Sequence, residues 1–212
     1  LQSEKFYSKI YDDPSYCGGH DQFKENIIKK LLSKHSSNFK NHLDIGASRG
    51  RFLATIAAEN RYAFEMADSP REDLLKENVH IIGRNIETEE IEQRQYDLIS
   101  ALDVIEHLFD PLSACIKARG ALSKGGIFIV SVPNDLLNLK TLLPMLLGKK
   151  DGAVFQFSNN GHIRFFSSTS LFNILKMAGF DSIEIHCYGK HNFLNAFLKD
   201  FTAYGFIGIG KV

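Results

Sequence analysis

The sequence predicts an α/β layer fold, a mainly parallel sheet whose strands alternate with helices. Three observations predict it. Short apolar runs alternate with helix-spaced patterns along most of the chain. The run Ile127-Phe128-Ile129-Val130-Ser131-Val132 is apolar on both sides, as a strand buried inside a parallel sheet must be. A glycine-bearing turn follows the first apolar run and opens into a helical pattern.

Taken in order, residues 23–32 place Ile27, Ile28, Leu31 and Leu32 on one side of a helix. Residues 42–45 form a short strand that breaks at Gly46, and 52–58 read as the next helix. Strands follow at 62–67, 79–82 and 96–102, then a helix over 112–122 that ends near Gly125-Gly126. After the 127–132 strand, 170–178 is a helix stopped by Gly179, and 181–187 alternates as a strand. The last strand spans 206–212, and its short connection to the one before predicts antiparallel neighbours.

A chain of 212 residues suits one domain with a full core. Lys+Arg and Asp+Glu balance at 25 each, which counts against a dedicated nucleic-acid binder. Cys17, Cys115 and Cys187 are odd in number and scattered, which argues against a disulfide framework and for a reducing, cytoplasmic setting. No apolar run is long enough to span a bilayer, and the polar start lacks a signal-peptide core. The chain opens on Leu1 rather than Met, which predicts a trimmed or partial sequence.

The turn Leu43-Asp44-Ile45-Gly46-Ala47-Ser48-Arg49-Gly50 has two chemical readings. Glycines let the backbone approach a ligand closely, and a helix N-terminus offers N–H groups to a carboxylate or phosphate. The same residues also spell the Gly-x-Ser-x-Gly elbow of a serine hydrolase, with Ser48 as nucleophile. Position disfavours the hydrolase, because the turn closes the first strand and no Gly-rich oxyanion segment precedes it. Asp68, about eighteen residues beyond Gly50 and expected at the end of the second strand, could accept both hydroxyls of a ribose. It could equally cap the turn that Ser69-Pro70 begins.

Residues 43–53, 66–72, 96–111 and 121–134 resemble the successive motifs of class I S-adenosylmethionine (SAM)-dependent methyltransferases. Tyr96-Asp97-Leu98-Ile99-Ser100-Ala101-Leu102-Asp103-Val104-Ile105-Glu106-His107-Leu108 is similar to that family's fourth-strand motif. Leu122-Ser123-Lys124-Gly125-Gly126 is similar to its approach to strand five. Gly161-His162-Ile163-Arg164-Phe165-Phe166 and Ala178-Gly179-Phe180 resemble the subgroup related to ubiquinone-type O-methyltransferases. The resemblance implies a Rossmann-like, seven-stranded, mainly parallel sheet with an antiparallel last strand and helices on both faces. It also implies SAM as cofactor and S-adenosylhomocysteine (SAH) as product. Asp44, Gly46, Ala47 and Gly50 would then line the methionyl side, Asp68 the ribose, Asn85 and Ile86 the adenine, and Leu102 the sulfonium. Ser48 departs from the glycine that many relatives carry there.

Methyl transfer asks the protein to align nucleophile and methyl, exclude water and, where needed, take a proton. Glu106 and His107 after the fourth strand, with the distant His162, are the expected catalytic residues, His107 as the base. The assigned site includes no metal ligand. Asp103, Glu106, His107 and His162 nevertheless form an O/N set able to hold a divalent cation. A similar set binds metal in RNA 2′-O-methyltransferases, which is the alternative function. A structural role for each histidine, the Ser48 hydrolase and a silent SAM-binding module stay open beside it.

Two segments are expected to cover the acceptor: residues 1–40 as an N-terminal helical cover, with Tyr7, Tyr11, Tyr16 and His20, and residues 135–165 as a lid. The leucine-rich 136–150 stretch ending in Lys149-Lys150 could also contact a membrane surface or a second copy. The expected partner is a small-molecule acceptor and the expected state a monomer or homodimer. The leading function is methyl transfer from SAM to an oxygen of a small, lipid- or sugar-linked acceptor.

Overall fold

The computed structural model describes residues 21–134, 162–189 and 203–212. The expected cover over residues 1–20, most of the 135–165 lid and the whole 136–150 stretch lie outside the described residues. Helix α1 (Gln22–Leu32) is capped by Asp21, whose carboxylate accepts the N–H groups of Phe23 and Lys24. Strand β1 (Phe39–Ile45) leads through the glycine turn into α2 (Arg51–Thr55), then β2 (Ala58–Phe64), α3 (Asp68–Lys76) and β3 (His80–Gly83). Strand β4 (Tyr96–Leu102) is followed by a 3₁₀ turn at Ile105–His107, helix α4 (Pro111–Ala121) and β5 (Leu122–Pro133). Helix α5 (Ser168–Met177) precedes β6 (Ser182–Tyr188) and β7 (Gly205–Lys211).

The seven strands lie in the order β3-β2-β1-β4-β5-β7-β6. Strands β1 to β5 pair in parallel, and β7 runs antiparallel between β5 and β6. This is the expected Rossmann-like sheet with its antiparallel last strand. One face packs Ile28, Leu31 and Phe52 against Leu98, Ile129 and Ile207. The other carries the larger cluster, with Phe128 stacked on Phe180 at a centroid separation of 5.6 Å.

Three expectations shift and one helix, α3, is added; the first shift is β5, which begins at Leu122 and not at residue 127. Strand β2 ends at Phe64 instead of residue 67, because Phe64 stands level with Ile45, the last residue of β1. Its polar first half hid it: Arg61 belongs to the strand and donates to the Leu53 and Ile56 carbonyls. Helix α2 is shorter than the 52–58 pattern, because the chain must enter β2 at Ala58. Helix α3 carries no strong apolar stripe in the sequence, but Pro70 in its first turn is compatible with helix. Among the described residues, no helix is long and apolar enough to cross a membrane.

Candidate active site

The chain winds from β1 outward to β2 and β3 in one direction, and through β4 and β5 in the other. The carboxyl ends of β1 and β4 therefore flank the reversal point, where open α/β sheets bind ligands. The glycine turn sits there, with Gly46 at φ 72°, Ser48 at 50° and Gly50 at 73°, all left-handed. Gly46 and Ala47 both donate their N–H to the Phe64 carbonyl, at 2.8 and 3.2 Å. The contribution of these two residues to a ligand is thus close approach of backbone and not their own N–H groups. A Cβ on Gly46 would stand 2.6 Å from Val104 Cγ2. Gly46→Ala is expected to lower stability by about 2 kcal/mol, read as a lower urea midpoint at constant m-value.

Beside the turn stand two buried carboxylates. Asp44, the last acid of β1, accepts a hydrogen bond from the Ser100 hydroxyl at 2.6 Å, and burial pushes its acid up to about 7. Glu65 directly follows β2 and accepts the Ser48 and Ala67 N–H groups at 2.7 and 2.9 Å. Burial raises its acid too, against the pull of those N–H groups. Glu65 was not singled out from the sequence; the signal available was an acid closing an apolar Tyr62-Ala63-Phe64 run.

Asp68 is corrected in place. It is the first residue of α3, not the end of β2, because β2 closes with β1 at Phe64. Its side chain is 74% exposed and pairs with Arg84 at 2.7 Å. Asn85 forms a turn after β3, its Oδ1 accepting the Glu87 N–H, while Ile86 is buried against the larger core cluster. Lys117 holds this loop by donating to the Ile86 and Glu89 carbonyls at 3.0 and 2.8 Å. Leu102 ends β4 and packs partly buried beside the α1 face.

Glu106, His107 and His162 come together: each presents a ligand atom, and these atoms lie within 4.8 Å of one another. The His107 and His162 rings meet edge to face at 4.7 Å. The Glu106 carbonyl accepts the N–H groups of Ile163 and Arg164, both at 3.0 Å, which fixes the backbone beside His162. Asp103 does not join them. It turns away at φ 55°, pairs with Lys24 and accepts the Ser131 hydroxyl at 2.9 Å, so it is corrected from the candidate ligand set. Glu106 and His107 lie in the 3₁₀ turn, whereas Asp103 precedes it with a left-handed backbone. Among the described residues, no histidine bonds Ser48, whose N–H is held by Glu65. That removes support from the hydrolase.

A family model described as a methyltransferase domain matches residues 20–185. No curated protein sequence matches the chain. A SAM-dependent methyltransferase from Thermotoga maritima superposes with a TM-score of 0.61 at 18% identity, covering 99% of this chain and 94% of that one. A Mesorhizobium loti S-adenosylmethionine-dependent methyltransferase gives 0.64 at 13%, over 88% and 97%. Haemonchus contortus phosphoethanolamine N-methyltransferase 2, solved with S-adenosyl-L-methionine, gives 0.66 at 15%, over 100% of this chain and 56% of that one. With the family model covering most of its length and this sheet order, the chain belongs to the methyltransferase-domain family and has the Rossmann-like fold of SAM-dependent methyltransferases.

Proposed function

We propose that this SAM-dependent methyltransferase acts on a hydroxyl oxygen of a small, lipid- or sugar-linked acceptor. The observation that carries the reading is the Glu106, His107 and His162 cluster beyond β4, next to the glycine turn's crevice. Bound SAM supplies a methyl group already activated by its sulfonium. The chain's residues bind, orient and handle the proton. Asp44 meets the amino group of the methionyl moiety, and Gly46, Ala47 and Gly50 let it lie close to the backbone. Asn85 and Ile86 would hold the adenine, and Leu102 would contact the sulfonium end of the cofactor. His107 takes the acceptor's hydroxyl proton, while Glu106 and His162 orient its ring.

For the ribose, Glu65 is the better-placed carboxylate, because it closes β2 beside the turn whereas Asp68 is exposed and engaged by Arg84. Glu65 accepts the Ser48 N–H on one oxygen and the Ala67 N–H on the other, with the Met66 N–H a further donor, and keeps acceptor capacity for a hydroxyl. Calorimetry with SAM and SAH tests the assignment. Glu65→Gln is expected to weaken SAH by about tenfold, the worth of a charge-assisted hydrogen bond, and Asp68→Asn by about threefold or less. The reverse order would return the ribose to Asp68, and no binding of either ligand by the unaltered chain would remove the methyltransferase reading.

The same cluster favours a second reading, a divalent cation held by Glu106, His107 and His162 that orients the accepting hydroxyl. An RNA 2′-hydroxyl is then one acceptor of the right chemistry.

A further inference from the structure

Asp44 is one member of a buried chain of polar groups. Parallel pairing sets Asp44 level with Ser100 on β4, and His42 lies two residues earlier on β1, so all three project from one face. His42 Nε2 is 2.8 Å from Ser100 Oγ, which is 2.6 Å from Asp44 Oδ1. An ionised carboxylate only accepts, so the single Ser100 hydrogen goes to Asp44. Ser100 must then accept from His42, which fixes the imidazole as its Nε2–H tautomer. The other ring nitrogen, Nδ1, is buried with no hydrogen-bond partner among the described residues. An orphan of that kind costs about 1–3 kcal/mol. The surrounding face is apolar, with Phe52 edge-on at 5.9 Å and Leu98 and Ile129 nearby, so a leucine would serve the packing better. What His42 adds is direction: Ser100 Oγ also lies 3.5 Å from the Leu43 carbonyl, an acceptor to which a free hydroxyl would turn.

The geometry points to His42 and Ser100 as positioning residues that fix Asp44 through Oδ1 and leave Oδ2 to meet the amino group of the cofactor. This rests on the proposed assignment of Asp44 to that amino group.

The charges around the relay make it testable by pH. Asp44 is raised by burial and by Glu65 after β2 and Glu25 on α1, while the Ser100 hydroxyl opposes the rise. Among the described residues, Arg61 and the Lys24–Asp103 pair add charge on this side. His42 stays neutral, lowered to about 3 by burial and then by Arg61, so it does not titrate near neutrality. A cationic amine binds the ionised form of Asp44. SAH affinity is therefore highest well above pH 7 and falls as the pH drops through about 7 and Asp44 protonates.

The test is calorimetric titration of SAH into the full chain from about pH 5.5 to 8.5. Ser100→Ala is expected to move the midpoint upward by about half a unit or more, and to weaken binding at pH 7 by about threefold or more. Ser100→Thr, which keeps the hydroxyl and suits a strand, is expected to restore the wild-type profile. His42→Leu is expected to shift the midpoint in the same direction by less. Asp44→Asn is expected to flatten this limb of the profile. If Asp44→Asn flattens it but Ser100→Ala leaves the midpoint in place, the relay is overturned and the Asp44 assignment stands. If Asp44→Asn keeps the wild-type profile, the Asp44 assignment fails and takes the relay with it.

Discussion

His107→Ala is expected to lower kcat by about 10²–10⁴-fold while leaving SAH affinity within about twofold, measured with an acceptor found by panel screening. The side chain stands past β4, in a 3₁₀ turn whose backbone also holds the chain beside His162. It is placed for the acceptor and not for the donor, which is why the loss falls on kcat. The two readings of the cluster then separate. If His107 acts as a base, EDTA leaves wild-type turnover unchanged and His162→Ala costs less than His107→Ala. If the cluster holds a cation, EDTA abolishes turnover, added metal restores it, and Glu106→Gln, His107→Ala and His162→Ala lose comparable activity. A His107→Ala enzyme with full turnover removes His107 from the reaction under either reading.

That cluster also marks how far the sequence can be read. Strand β4 is legible to the residue, because an apolar run bounded by Asp103 has no helical alternative. Helices α1 and α4 fall within one residue of their expected ranges, and in the structure an Asp caps the start of each. His162 is legible as a distant partner only through the family resemblance, since no local pattern links it to His107. Glu65 is marked in the sequence only by following the Tyr62-Ala63-Phe64 run, because its place at the end of β2 depends on β2 closing level with β1. The same dependence on pairing holds for His42, Ser100 and Asp44: Ser100 is 58 positions from His42 and 56 from Asp44, and only parallel pairing makes them neighbours. Asp103 leaves the candidate cation set because of its backbone. A ligand set read along the chain assumes a helix, and the left-handed backbone at Asp103 turns its carboxylate toward α1.

That pairing predicts the largest stability effect among single polar substitutions. Lys24 is 4% exposed and Asp103 34%, so the two ends of the ion pair differ in what their loss leaves behind. Asp103→Asn keeps a residue that tolerates the left-handed backbone, but strands a buried ammonium opposite a neutral amide. It is expected to cost about 3 kcal/mol, the low end for breaking a buried pair. Lys24→Met keeps the packing of the aliphatic stem and leaves Asp103 with the Ser131 hydroxyl and access to water. It is expected to cost about 1 kcal/mol. The double variant should unfold close to Lys24→Met, because once the ammonium is gone there is no stranded charge for the asparagine to expose. Urea unfolding of all four proteins closes this double-mutant cycle, and additive costs would show that the pair does not act as a unit. Because α1 carries Glu25 beside Asp44 as well as Lys24, loosening the helix also reaches the charges around the proposed cofactor carboxylate. Asp103→Asn should therefore weaken SAH more than Lys24→Met does, although neither residue is assigned a contact with it.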